Sequence, residues 1–79
     1  MEGDLQRTLG SNLRAYRLSR GISQEDFAVT VGVHRTYLGA VERGERNLTL
    51  RSVERLAERL EFDPLDLLRP PRRHDEMIA

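Results

Sequence analysis

The side chains best suited to bind a nucleobase or a phosphate lie close together, in residues 34–43. Arg35, Thr36 and Arg43 are polar, and Gly39 and Ala40 lie between them. A guanidinium group can donate two parallel hydrogen bonds to guanine O6 and N7, and a threonine hydroxyl can bond a base edge. Small residues would keep the segment thin enough to enter the major groove of DNA. These residue types therefore indicate contact with a polar partner surface.

A helix over residues 34–42 would place those side chains on one face. Val33, Leu38 and Val41 have the spacing of a buried helix face. The opposite face has no acidic residue, whereas an ordinary solvated face carries charges of both signs. Insertion into a DNA groove is the favoured interpretation, and an ordinary exposed helix is the alternative. We expect the outward face to consist of His34, Arg35, Thr36, Gly39, Ala40 and Arg43, with Tyr37 at its margin.

Helices are expected throughout the chain, because no segment alternates in the way that a half-buried strand requires. Ser23, Thr49 and Asp63 are suited to cap the second, fourth and fifth helices, and a glycine follows each of the first three. The prediction is an all-α domain over residues 1–69, followed by a polar tail over residues 70–79. Its five helices are expected at about residues 4–20, 24–31, 34–42, 50–61 and 64–69.

The sequence lacks the signatures of an enzyme or of a metalloprotein. It contains no cysteine, and His34 and His74 are too isolated for an evident metal site. There is no glycine-rich phosphate loop and no nucleophile motif, and Ser23 and Thr49 are better explained as helix caps. We therefore expect no catalytic activity and no cofactor.

Charge and hydropathy narrow the choice of partner. The 13 cationic residues, all arginines, balance 13 acidic residues. Zero net charge argues against a nucleic-acid partner, but the distribution of charge matters more than the total. No segment reaches the roughly 18 apolar residues of a membrane span, and the N-terminus lacks a signal-peptide pattern. We expect a cytoplasmic protein with no membrane partner.

A second copy of the chain is an expected partner, because a domain of 79 residues without a disulfide has a small core. Three leucines crowd onto the short fifth helix, so at least one must face away from its own core. Such a dimer would separate two recognition helices by roughly 34 Å and would match a pseudo-palindromic operator. The expected interface is Phe62, Leu65, Leu67 and Leu68.

The segment from Gly21 to Gly44 resembles the helix-turn-helix of the lambda-repressor and Cro type. Gln24, Ala28 and Gly32 are in register with that pattern, and the likeness extends over residues 9–68. Within that superfamily, the run Arg35-Thr36-Tyr37 and the run from Glu42 to Thr49 resemble restriction–modification controller proteins. The resemblance implies a five-helix lambda-repressor-like fold, duplex DNA as the partner, and a dimeric transcription regulator.

The resemblance also implies a role for individual residues. Arg35 and Thr36 match positions that read bases, and Arg17 and Glu42 match a buried ion pair. Ala40 departs from some phage-type repressors, which carry a polar base-reading residue there. The resemblance also implies contacts to the DNA backbone, or from the loop after the recognition helix, by Gln24, Tyr37, Arg43, Arg46 and Asn47. We expect His34 to join these contacts, because it lies at the start of the recognition helix.

We expect no small-molecule ligand, because the chain offers no room for a ligand-sensing domain. Regulation is therefore expected to depend on the concentration of the protein. Controllers can activate at low operator occupancy, with RNA polymerase as a further partner, and repress their own gene at high occupancy. The alternatives are a phage-type or general repressor, and an antitoxin or other protein-interaction module.

Overall fold

The computed structural model describes residues 3–70, and within them it contains five α-helices and no strand. The all-α class expected from the sequence is confirmed. None of the helices in this part of the chain has the length and apolar character needed to cross a membrane. Apart from Pro70, the expected tail over residues 70–79 lies outside the described residues. The helices are α1 (Asp4–Ser19), α2 (Gln24–Val31), α3 (Arg35–Glu42), α4 (Leu50–Leu60) and α5 (Pro64–Leu68).

Local side-chain hydrogen bonds fix where the helices begin. The Ser23 hydroxyl accepts from the Asp26 amide at 3.1 Å, and the Thr49 hydroxyl accepts from the Ser52 amide at 3.1 Å. The Asp63 carboxylate accepts from the Leu65 amide at 2.9 Å and so caps α5. Each cap satisfies an amide that has no partner within its own helix. These three helix starts are therefore encoded by short polar segments, as expected.

All five helices contribute buried apolar side chains to one core. Its most completely buried large side chains come from the first three helices: Leu9, Leu13, Phe27, Leu38 and Val41. The Tyr16 ring extends this core and contacts the rings of Phe27 and Phe62, with centroids 5.9 and 5.0 Å away. Leu5, which the apolar spacing of α1 includes, is 55% exposed because it lies beyond the end of the core.

Three residues of α1 position α3. The Gln6 amide donates to the Gly44 carbonyl at 2.9 Å, just after α3 ends. Gly10 lies against the last turn of α3, where an added Cβ would be only 2.1 Å from the Val41 carbonyl oxygen. Arg17 contacts Glu42 from the other end of α1. The orientation of α3 is therefore set along most of the length of α1.

The end of α5 is also attached to α1. The Asn12 side-chain amide donates to the carbonyl oxygens of Leu67 and Arg69, both at 2.8 Å. Carbonyls at the end of a helix lack partners within it, so a side-chain donor there fixes the helix terminus. Asn12 therefore holds α5 in place despite the short length of that helix.

Candidate nucleic-acid interface

The outward face of α3 presents exposed polar groups. Arg35, Thr36 and Arg43 are exposed, and Ala40 is half-buried. No described residue forms a hydrogen bond or an ion pair with the Arg35 guanidinium, so its five donors are available. An unpartnered guanidinium at the start of a helix can bond a base edge without first breaking a contact within the protein.

One member of the expected outward face is covered. Gly39 is buried, and an added Cβ there would lie 3.2 Å from an Arg43 nitrogen and 3.6 Å from the Gln24 amide oxygen. The expectation that Gly39 is displayed is therefore wrong, because the first turn of α2 brings Gln24 across it. The surface above Gly39 consists of the Gln24 and Arg43 side chains, which are polar.

Gln24 is held by α3 as well as by its own helix. Its amide nitrogen donates to a Glu42 carboxylate oxygen at 3.1 Å. An amide nitrogen has two hydrogens, so one donor remains for another acceptor. Gln24 is half-buried, and this donor lies close to the outward face of α3.

Beneath that face, Arg17 and Glu42 form a bidentate ion pair. Arg17 Nε lies 2.9 Å from Glu42 Oε2, and Arg17 Nη2 donates to Glu42 Oε1 at 3.0 Å. Arg17 Nη1 also donates to the Ile22 carbonyl at 3.1 Å. The Glu42 side chain is only 2% exposed. Hydrogen bonding to Glu42 raises the pKa of Arg17 above its ordinary value, although burial opposes the shift. The pair links α1, the turn after it, and the end of α3.

His34 lies at the N-terminus of α3 as its cap, one residue before the helix begins. Its Nδ1 accepts a hydrogen bond from the Thr36 amide at 3.1 Å. The expected start of the helix at residue 34 is therefore shifted by one position. The His34 side chain is exposed beside Arg35.

The loop after α3 extends the polar face. The Arg46 guanidinium lies over the Tyr37 ring, 5.0 Å from its centroid, and Asn47 is exposed next to it. Arg43 pairs with Glu45 at 3.1 Å, and both side chains are largely exposed. Such a pair contributes little stability, so Arg43 can exchange this partner for a phosphate. We use the name recognition surface for Gln24, His34, Arg35, Thr36, Tyr37, Arg43, Arg46 and Asn47.

The residues expected in a dimer interface do not share one environment. Leu67 is 2% exposed and belongs to the core of its own subunit, so it is not available to a partner. Phe62 is half-buried against Tyr16, whereas Leu65 is 63% exposed. Leu68 lines a shallow apolar groove, and this groove was not expected from the sequence. Its other lining residues include Leu5, Leu48 and Leu50, of which Leu50 is 77% exposed.

The comparisons with known proteins identify the family. The helix-turn-helix family model matches residues 13–67, which run from the second half of α1 through α2, α3 and α4 to the penultimate residue of α5. This chain belongs to the helix-turn-helix family. The match includes most of the core and the recognition surface described above.

Individual relatives agree with this assignment. The control protein C.SmaI of Serratia marcescens is 47% identical over 57 residues, which cover 72% of this chain and 68% of the relative. A crystal structure of a hypothetical transcription factor from Neisseria has a TM-score of 0.77 at 41% identity, covering 90% of this chain and 82% of that one. The restriction–modification controller C.AhdI of Aeromonas hydrophila has a TM-score of 0.68 at 40% identity, covering 78% and 94%.

The family and the geometry lead to the same general function. The protein is a helix-turn-helix DNA-binding transcription regulator related to restriction–modification controller proteins. The relatives include a hypothetical transcription factor of Neisseria meningitidis and several control proteins.

Proposed function

We propose that this protein is a homodimeric regulator that binds a pseudo-palindromic operator and controls a restriction–modification operon, its own gene included. The observation that carries the proposal is the free Arg35 guanidinium beside Thr36 at the exposed start of α3. The relationship to C.SmaI and C.AhdI supports the choice of operon. We also propose that the protein acts in the cytoplasm and contacts RNA polymerase when it activates transcription.

The recognition surface divides into two kinds of contact. Arg35 and Thr36 read base edges, because they occupy the exposed first turn of α3. The remaining members lie at the start of α2, at the cap and within the first turn of α3, and in the segment after α3, and they contact the phosphate backbone. Backbone contacts set the orientation of α3, and base contacts supply the sequence preference.

The second copy docks on leucines beside the recognition surface, of which Leu5, Leu50 and Leu65 are exposed and Leu68 is half-buried. Leu65 and Leu68 are three residues apart and so share a face of α5, and Leu68 lines the same groove as Leu5 and Leu50. We use the name leucine face for Leu5, Leu50, Leu65 and Leu68. This interface retains Leu65 and Leu68 from the sequence expectation and replaces the others.

The position of the leucine face supports a two-fold arrangement of the proposed dimer on DNA. Asn47, which belongs to the recognition surface, also lines this groove. A two-fold axis through the groove therefore brings two α3–α4 loops side by side. Two recognition helices can then enter the major groove on one side of the duplex, about 34 Å apart.

Binding to an inverted repeat upstream of the gene tests base reading. We expect Arg35→Ala to lose the preference for this operator over a scrambled duplex, measured by fluorescence anisotropy. Arg43→Ala should weaken binding to both duplexes and lower the salt slope by about one, because it removes a phosphate contact. Unchanged discrimination by Arg35→Ala would show that another residue reads the sequence.

A further inference from the structure

The hydrogen bond that caps α3 fixes the tautomer of His34. Nδ1 accepts from the Thr36 amide at 3.1 Å, so it has a lone pair and no proton. A neutral imidazole must then carry its hydrogen on Nε2. No described residue forms a further hydrogen bond or ion pair with the His34 ring. The exposed side chain therefore presents a neutral N–H donor to solvent.

The surroundings of this donor suit a phosphate. The first turn of α3 contains no acidic residue, and Arg35 follows His34 directly. The amides of a helix N-terminus add a partial positive charge. Because the end of α3 contacts Gly10 and Arg17 of α1, the ring is attached to a fixed helix. A donor on a fixed helix, next to a base-reading residue, can bind a phosphate beside the bases that this residue contacts.

We propose that His34 has two separable tasks: Nδ1 caps α3, and Nε2–H donates a hydrogen bond to a DNA phosphate beside the bases that Arg35 contacts. The inference rests on the proposed DNA-binding function and deepens it. It assigns the contact to a neutral group. A neutral donor displaces no counterion, so the contact differs in its salt dependence from those made by the arginines.

Two variants separate the tasks. Asparagine is a strong N-cap residue, so His34→Asn keeps the cap but is too short to reach the phosphate. We expect its melting temperature to match that of the wild type and its affinity to fall about tenfold for both the operator and a scrambled duplex. His34→Ala removes both tasks, so its melting temperature and its affinity should both fall.

The experiment measures melting temperature and DNA affinity over a series of salt concentrations, with Arg43→Ala as the cationic control. His34→Asn should leave the slope of log K against log salt unchanged, whereas Arg43→Ala should lower it by about one. Proton–nitrogen correlation spectra of the imidazole should show the Nε2–H tautomer in the free protein and in the complex.

Several results would overturn the proposal: wild-type affinity in His34→Asn, a changed salt slope in that variant, or a proton on Nδ1. Failure of the DNA-binding function itself is distinguishable, because the wild type would then show no preference for the operator over the scrambled duplex.

Discussion

Replacing Gly10 by alanine tests how α1 positions the recognition helix. A Cβ at this position would lie 2.1 Å from the Val41 carbonyl oxygen and 2.9 Å from the Glu42 carbonyl oxygen. The first separation must grow by about 0.9 Å to reach even 3.0 Å. Both atoms belong to the backbone of α3, so no side chain can rotate away. The two helices must therefore move apart.

The magnitude follows from two opposing effects. Overpacking of this kind costs about 1–3 kcal/mol, and backbone atoms favour the upper end. Alanine recovers about 1 kcal/mol of helix propensity relative to glycine. We therefore expect Gly10→Ala to lower the free energy of unfolding by about 2 kcal/mol. In a domain of this size, that loss lowers the melting temperature by roughly 8–16 °C.

Circular dichroism melting at one fixed protein concentration measures this effect. Gly39→Ala is the matched control, because it makes the same exchange in a helix but meets the flexible end of Arg43 at 3.2 Å and Gln24 only at an ordinary contact distance of 3.6 Å. Its melting temperature should equal or exceed that of the wild type. A Gly10→Ala protein as stable as the wild type would refute the assignment of α1 as the element that fixes α3.

Two further predictions concern the ion pair and the dimer. Arg17→Ala leaves the buried Glu42 carboxylate unpaired, so we expect a loss of about 3–5 kcal/mol in urea unfolding, together with weaker operator binding; wild-type stability and affinity would dismiss the pair as an organising contact. Leu50→Glu places a charge on the leucine face, so sedimentation at roughly tens of micromolar should detect monomers of this variant. We expect the wild type to be dimeric at the same concentration. Val29→Glu, at a residue 76% exposed on α2, should remain a dimer, and a dimer of Leu50→Glu would exclude this interface.

The features of the fold that depend on neighbouring residues could be predicted from the sequence. A cap needs only a polar side chain and an amide two or three residues later, so Ser23 and Thr49 identified their helix starts. Gly32 ends α2 with φ of 74°, a conformation that glycine adopts at little cost. The helix periodicity likewise placed Leu38 and Val41 in the core.

Most contacts between distant segments had no comparable local signal, and the Arg17–Glu42 pair was expected from the family resemblance. Gly10 lies in a helix where glycine weakens the helical pattern, and only the approach of α3 explains it. The burial of Gly39 depends on the position of Gln24 in another helix. In α5, five residues are too few for periodicity to decide which leucine faces inward, so Leu67 was assigned to the wrong surface.

Selection of bound duplexes from a random-sequence DNA library tests the central claim most directly. The wild-type protein should enrich an inverted repeat whose half-sites are about one helical turn apart. Arg35→Ala, selected in parallel, should retain binding but enrich no particular base at the position that this guanidinium contacts. Equal enrichment of the same repeat by both proteins, or no enrichment by the wild type, would contradict recognition through the start of α3.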